Sequence, residues 1–170
     1  MQEWQAAGPH RFTVDKDRIR WESLGAVEPE QAHVFAQLLI RVAAEHGHAY
    51  CLVDGRRMMP LPPESRRIYL DYLRDNTPQF ALAIFGARLH IRVAGMLVIR
   101  AARLMSMHEL DVCYTATESE AEQFLRSRRQ HLTKVVDEEG RLRAAGLRQE
   151  LEHRLRDLRI LSQLLHLSCE

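Results

Sequence analysis

Lysine is nearly absent from this chain of 170 residues, in which Lys16 and Lys134 are the only two and every other basic side chain is an arginine. Such a bias is typical of proteins from GC-rich genomes. Acidic residues balance the arginines, and the formal net charge is only +1. This balance excludes a strong attraction of the whole molecule to nucleic acid or to an anionic membrane.

Cysteine is also scarce. Cys51, Cys113 and Cys169 form no close pair, so no disulfide framework is predicted and a reducing compartment is favoured. The first residues lack the pattern of a secretory signal, and the most apolar segment, 91–107, is too short and too rich in arginine to span a bilayer. We therefore expect a cytoplasmic protein.

Signatures of catalysis are missing as well. The chain contains no Gly-x-Ser-x-Gly sequence and no glycine-rich phosphate loop. His46, His48 and Cys51 are close in sequence, but His48 and Cys51 are three apart on a predicted strand and point to opposite faces, which disfavours a metal site. We predict no cofactor and no metal. Binding is favoured over catalysis, although an enzyme with an unmarked site stays open.

Three short apolar runs give the strongest structural signal. They cover 49–53, 80–85 and 110–114 and alternate with helical patterns. Runs this short with almost no polar residue are typical of strands buried on both faces in a parallel sheet. Alternation over 11–22 adds an N-terminal β-hairpin. The prediction is an α/β fold with a mixed sheet covered by helices.

Helix boundaries are marked by familiar signals. Pro29 begins one helix and Gly47 ends it, Pro63 begins the next, and a third covers 89–107. The sequence from Thr117 to Glu120 matches a capping box that begins a fourth helix.

A break at 137–140 divides the chain into an α/β domain, 1–136, and a helical extension, 137–170. The extension places four leucines on one heptad-like seam, with about two heptads in all. We expect this seam to support self-association or docking onto the domain. Its residues are Leu151, Leu155, Leu158 and Leu165.

The order of elements and three short segments resemble the STAS-like family of bacterial anti-sigma-factor antagonists over roughly 11–130. The segments are Leu52-Val-Asp-Gly-Arg56, Ala83-Ile-Phe-Gly-Ala-Arg88 and the stretch from Thr115 to Leu125. The resemblance implies a non-catalytic regulatory module in a bacterial cytoplasm that binds a protein partner.

One departure from that family concerns its phosphorylated turn, which reads Asp-Ser-Ser-Gly. This chain has Pro-Pro-Glu-Ser-Arg-Arg over 62–67. Ser65 is near the corresponding place and is a candidate phosphorylation site, with Arg66 and Arg67 beside it. The alternative is an ordinary residue of the first helical turn.

Arginines cluster where the predicted strands end. Because ligands of open α/β sheets bind beyond the carboxyl ends of parallel strands, these residues are predicted to bind an anionic head group or an acidic loop of a partner. The alternative is a set of solvated or locally paired side chains. The predicted set is Asp54, Arg56, Arg57, Arg88 and Thr117.

The helix over 89–107 is apolar nearly all round, which is typical of a core or interface helix. Two functions remain open. One is a self-associating regulatory module; the other is a lipid or anionic small-molecule binding domain, membrane-associated in one version, that uses the strand-end arginines and this helix. Nucleic-acid binding is disfavoured, since no dense basic patch with aromatics is present.

Overall fold

The strands lie side by side in the sheet in the same order in which they occur along the chain. This is seen in a computed structural model that describes residues 3–76, 79–104 and 111–131, without the side chains of residues 98 and 101–104. The chain divides into two compact units, Met1–Arg129 and Gln130–Glu170, and the description concerns the first. The predicted leucine seam, Leu151 to Leu165, lies outside the described residues.

Six strands form one mixed sheet. β1 pairs antiparallel with β2 and β2 pairs antiparallel with β3, whereas β3, β4, β5 and β6 run parallel to one another. The α/β class and the mixed sheet are thus confirmed, and β1 is an addition that the sequence did not indicate. The strands are β1 (Gln5–Ala7), β2 (His10–Asp15), β3 (Arg18–Gly25), β4 (Ala49–Met58), β5 (Phe80–Phe85) and β6 (Asp111–Thr115).

Three helices link the parallel strands: α1 (Pro29–His46), α2 (Pro63–Asn76) and α3 (Leu89–Leu104). Each crossover moves one strand further in the same direction. Because such crossovers are right-handed, all three helices lie on one face of the sheet. A fourth helix, α4, covers 118–131.

Alternation along β3 shows what covers each face. Trp21 faces α1, where its ring meets that of Phe35 edge to face at 4.7 Å. Arg20 points to the opposite face and pairs with Glu118 of α4 at 2.6 Å. The sheet is therefore covered on both faces, by α1 to α3 on one and by α4 on the other.

Small residues allow α4 to approach its face. Ala81 and Ala83 of β5 lie on that face, in register with Tyr50 and Leu52 of β4, and both alanines are fully buried. α4 buries Ala121 and a leucine four residues later, on one side of the helix. Alanine in the strand leaves room for the helix to lie close to the sheet.

β4 is longer than predicted. The sequence placed a strand end at Asp54-Gly55-Arg56-Arg57, but the strand continues to Met58, where it pairs with Gly25 of β3. Gly55 serves close packing here, because a Cβ at that position would come within 2.9 Å of Ile84 Cγ2. A glycine that resembles a turn signal is instead a place where the strand has no room for a side chain.

His10 is a buried polar group that joins β2 to the end of β3. Its Nδ1 accepts a hydrogen bond from the Leu24 N–H at 3.0 Å, and its Nε2–H donates to the Ala26 carbonyl at 3.0 Å. The bond from Leu24 requires the neutral ring, because Nδ1 can accept only when it carries no proton, whereas Nε2–H can donate to Ala26 in either form. Burial lowers the pKa of His10 below its ordinary value of 6.5, and the bond to Ala26 opposes this only in part.

Unfolding should therefore become easier in mild acid. Because the folded state holds His10 neutral, the free energy of unfolding should fall as pH drops below about 6.5. Urea unfolding at pH 7.5, 6.5 and 5.5 measures this. In His10→Gln, which loses about 1–3 kcal/mol at pH 7.5 through the unpaired Leu24 amide, the pH dependence should be weaker. An equal slope in both proteins would contradict this role of His10.

Candidate functional site

Two of the predicted strand-end residues are already bound to each other. The Arg56 guanidinium donates to the Asp54 carboxylate through Nε at 3.0 Å and through Nη2 at 2.6 Å. The Arg56 side chain is 70% exposed and that of Asp54 is 12% exposed. Arg56 thus neutralises a largely buried carboxylate of its own strand.

The electrostatic surroundings of Asp54 show how firmly this pair is held. Burial would raise the pKa of Asp54, but the hydrogen bonds and charge of Arg56, with the charge of Arg20, hold it below its usual value. Glu118 and Glu22 act on Arg56 with the same sign as Asp54. Arg56 is therefore surrounded by carboxylates whose negative charge opposes the binding of an anionic ligand.

The remaining members of the predicted set lie in different elements. The Thr117 hydroxyl accepts the Glu120 N–H at 3.3 Å, and Glu120 Oε2 accepts the Thr117 N–H at 3.2 Å, which is the predicted capping box of α4. Arg57 lies in β4 and Arg88 precedes α3; both are exposed, and neither makes an ion pair with another described residue. Within the predicted set, Arg57 and Arg88 are thus the arginines that no described carboxylate neutralises.

Ser65 is fully buried in the first turn of α2. Its hydroxyl has no hydrogen-bond partner within the described part of the chain. A kinase could reach this hydroxyl only after the first turn of α2 had opened.

A second polar cluster, at the other end of the sheet, is structural. Asp17 accepts hydrogen bonds from His48 Nε2 at 3.2 Å and from Arg129 Nη2 at 2.7 Å. Burial and the charge of Asp17 raise the pKa of Tyr50 to about 12, with Arg129 acting in the opposite direction. The cluster ties the β2–β3 turn and β4 to α4.

Over residues 3–76, 79–104 and 111–131, no group of three His, Cys, Asp or Glu side chains is arranged to hold a metal.

A cavity of about 380 Å³ lies between the sheet and helices α1, α2 and α3. It is partly open to solvent. Its lining is almost wholly aliphatic and aromatic, with contributions from all three helices, from β3 to β6 and from the loop before α2. This cavity is our candidate functional site.

Packing between α1 and α2 builds one wall of the cavity. Phe35 and Tyr69 meet edge to face at 6.0 Å, and the Tyr72 hydroxyl lies 3.3 Å from His33 Nδ1 and 3.2 Å from Gln37 Nε2. These contacts hold the two helices together. Residues of both helices line the cavity.

The opposite wall depends on Gly95 in α3. A Cβ at this position would overlap the hydroxyl of Tyr114 and would come within 2.6 Å of its Cζ. The missing side chain lets the Tyr114 ring of β6 fit against the helix backbone. Both Gly95 and Tyr114 line the cavity.

Few polar groups face the cavity. Arg66 is the only charged residue among the described residues that line it. The hydroxyls of Tyr69 and Tyr114 make no hydrogen bond with a described residue, and burial raises the pKa of each. Both phenols stay protonated at neutral pH and can donate a hydrogen bond to a ligand.

The outer face of α3 is apolar as well. Leu89, Val93, Met96 and Leu97 are spaced along one side of the helix and are 46–74% exposed. The sequence predicted an apolar helix here, over 89–107; the described helix ends at 104. α3 therefore has apolar side chains both toward the cavity and toward solvent.

No protein-family profile and no curated protein sequence matches this chain. The resemblance to the STAS-like family therefore stays a prediction.

None of the described helices is long and apolar enough to cross a membrane.

Sequence reasoning missed the cavity because it treated each helix separately. One signal was present: Arg66, Tyr69, Leu70 and Leu73 share one face of α2. That face is too apolar for solvent and contains two residues with polar ends. Only the assembled sheet and helices show that this face borders an open volume.

Replacing Gly95 tests the cavity wall. In an ordinary helix interior Gly→Ala stabilises by about 1 kcal/mol, but Gly95→Ala should destabilise by about 1–3 kcal/mol because the methyl group overlaps Tyr114. In a Tyr114→Ala background the same change should become neutral or stabilising. Thermal unfolding of the four proteins measures the coupling, and a stabilising effect in the wild-type background would contradict the packing.

Proposed function

We propose that the protein is a non-catalytic binding domain that holds a small apolar or amphiphilic molecule between the sheet and helices α1 to α3. The observation that carries this proposal is the cavity of about 380 Å³ with its apolar lining. Ligand cavities typically measure ~300–1,000 Å³. An engineered apolar cavity of about 150 Å³ is enough to bind benzene.

The chemistry of the lining supports binding over catalysis. Catalysis by a nucleophile needs a base within hydrogen-bond reach, and the groups available here are one arginine and tyrosine hydroxyls. Cys51 is fully buried, and burial raises the pKa of its thiol, which makes it inert. The described residues thus supply shape, apolar surface and a few donors.

A regulatory role fits this binding function. α3 contacts the cavity through Ile91 and Gly95, and on its outer side it exposes Val93 and Leu97. A ligand that supports α3 from inside would also fix the position of the exposed row. Ligand binding would in this way control a surface that contacts a partner, as the STAS-like resemblance leads us to expect.

A neutral fluorescent probe tests the cavity. N-Phenyl-1-naphthylamine should bind saturably with increased emission. Ala36→Leu, which places extra carbons in the cavity from α1, should weaken binding by about tenfold or more. Ala44→Leu, on the exposed side of the same helix, is the matched control and should bind like the wild type.

Equal binding by the wild type and Ala36→Leu would show that the probe does not occupy this cavity and would contradict the proposal. Organic extraction of the purified protein followed by mass spectrometry gives an independent measurement. A stoichiometric small molecule in the wild type that is depleted in Ala36→Leu is the expected result.

A second function, self-association as an interaction module, is favoured by the exposed row on α3. Leu89, Val93, Met96 and Leu97 form an apolar strip, and contiguous strips of this kind mark contact sites. The occupant we propose is the same helix of a second copy of the chain, because two such apolar rows can cover each other along a shared seam.

Substitution in this strip tests the second function. Leu97→Asp, which places a carboxylate on a side chain that is 61% exposed, should lower the mass measured by light scattering without changing thermal stability. Val34→Asp is the matched control, on an isolated exposed valine of α1. An unchanged mass in Leu97→Asp, or a monomeric wild type, would contradict self-association through α3.

A further inference from the structure

We infer that the ligand is a single-chain amphiphile with an anionic head group, of which a fatty-acid carboxylate is the simplest form, and that Arg66 binds this head group at the mouth of the cavity. The inference rests on the proposed binding function and assigns its ligand class. It also moves the predicted anion site from the strand-end arginines to α2.

Arg66 is the single charge on an otherwise apolar wall. Its side chain lines the cavity and is also exposed to solvent, so it lies at the opening. Its aliphatic stem can follow the apolar lining while the guanidinium stays in water. A head group bound there keeps its hydration in part, and the chain behind it is removed from water.

The positive charge of Arg66 is also unpaired among the described residues. Its neighbour Arg67 lies 3.7 Å from Asp71, and Arg74 pairs with Asp71 at 3.1 Å and with Asp75 at 2.9 Å. Arg66 makes no ion pair with any residue that the structure describes. Of the arginines on this helix, the one that reaches the cavity is the one without an internal carboxylate.

The polarity along α2 follows that of an amphiphile. Arg66 is in the first turn, where the helix dipole adds to the attraction for an anion. Tyr69, three residues later, has a hydroxyl without a partner among the described residues, and Leu70 and Leu73 continue the same face. Along α2, the cation, the hydrogen-bond donor and the apolar surface therefore occur in the same order as the head group and the hydrocarbon chain of an amphiphile.

The size of the cavity favours one chain. At ~30 Å³ for each water-sized group, about 380 Å³ corresponds to roughly a dozen methylene-sized groups. This matches a saturated chain of medium length. A second acyl chain would double the requirement and would have to lie outside the cavity.

Calorimetric titration with three ligands of equal chain length tests the inference. Dodecanoate, 1-dodecanol and dodecyltrimethylammonium are each used below their micelle concentrations with delipidated full-length protein. Dodecanoate should bind about tenfold more tightly than dodecanol, and the cation should bind most weakly. In Arg66→Gln the preference for dodecanoate should disappear, whereas Arg67→Gln should retain it.

The outcomes separate the two proposals. Equal affinity for dodecanoate and dodecanol in the wild type would overturn the head-group assignment and leave the binding function in place. A preference that survives in Arg66→Gln and is lost in Arg57→Gln or Arg88→Gln would overturn the role of Arg66. No binding of any ligand, together with no probe binding, would overturn the binding function itself.

Discussion

The strictly sequential order of the parallel strands is the constraint on which the rest of the structure depends. Because every crossover is right-handed and advances in one direction, α1, α2 and α3 must share a face. α1 and α2 are joined by direct side-chain contacts, Phe35 to Tyr69 and the hydrogen bonds of Tyr72. α3 rests on β6 through Gly95 and Tyr114. The volume between these two supports is the cavity, so the binding function that we propose depends on topology more than on any single motif.

The two faces of the sheet contact their helices through different kinds of interaction. The face beneath α1 to α3 is apolar and is left partly unfilled. The face beneath α4 has an apolar centre of Leu52, Ala81 and Ala83, with ion pairs from α4 around it. Charge pairs near the surface contribute little free energy each, but they fix direction and register. Ion pairs thus surround the contact of the sheet with α4, whereas the face where we propose that a ligand binds is closed by apolar contacts.

Much of the fold could be read from local patterns. The apolar runs at 49–53 and 80–85 are buried strands, and Pro29, Gly47 and the Thr117 capping box mark helix ends as expected. The site could not be read in the same way. Asp54-Gly-Arg has the composition of a turn, but Gly55 is required by the approach of Ile84, and this depends on a neighbouring strand. The strand-end arginines were predicted to bind an anion from their position alone. Position does not reveal that Arg56 already forms an ion pair with Asp54. An empty volume has no residues of its own, so no sequence pattern marks it.

The ion pairs of α4 have a consequence for the order of events during synthesis. Arg18 and Arg20 of β3 meet Glu122 and Glu118, which are 104 and 98 residues later in the chain. While the ribosome is still making the intervening helices, this face of β3 has no cover, and the nascent sheet presents Tyr50 and Leu52 to water. Contacts of such long range are made late. The α4 face is therefore the last to close, and a nascent chain halted before residue 118 would need protection from aggregation at that face until the missing helix was supplied.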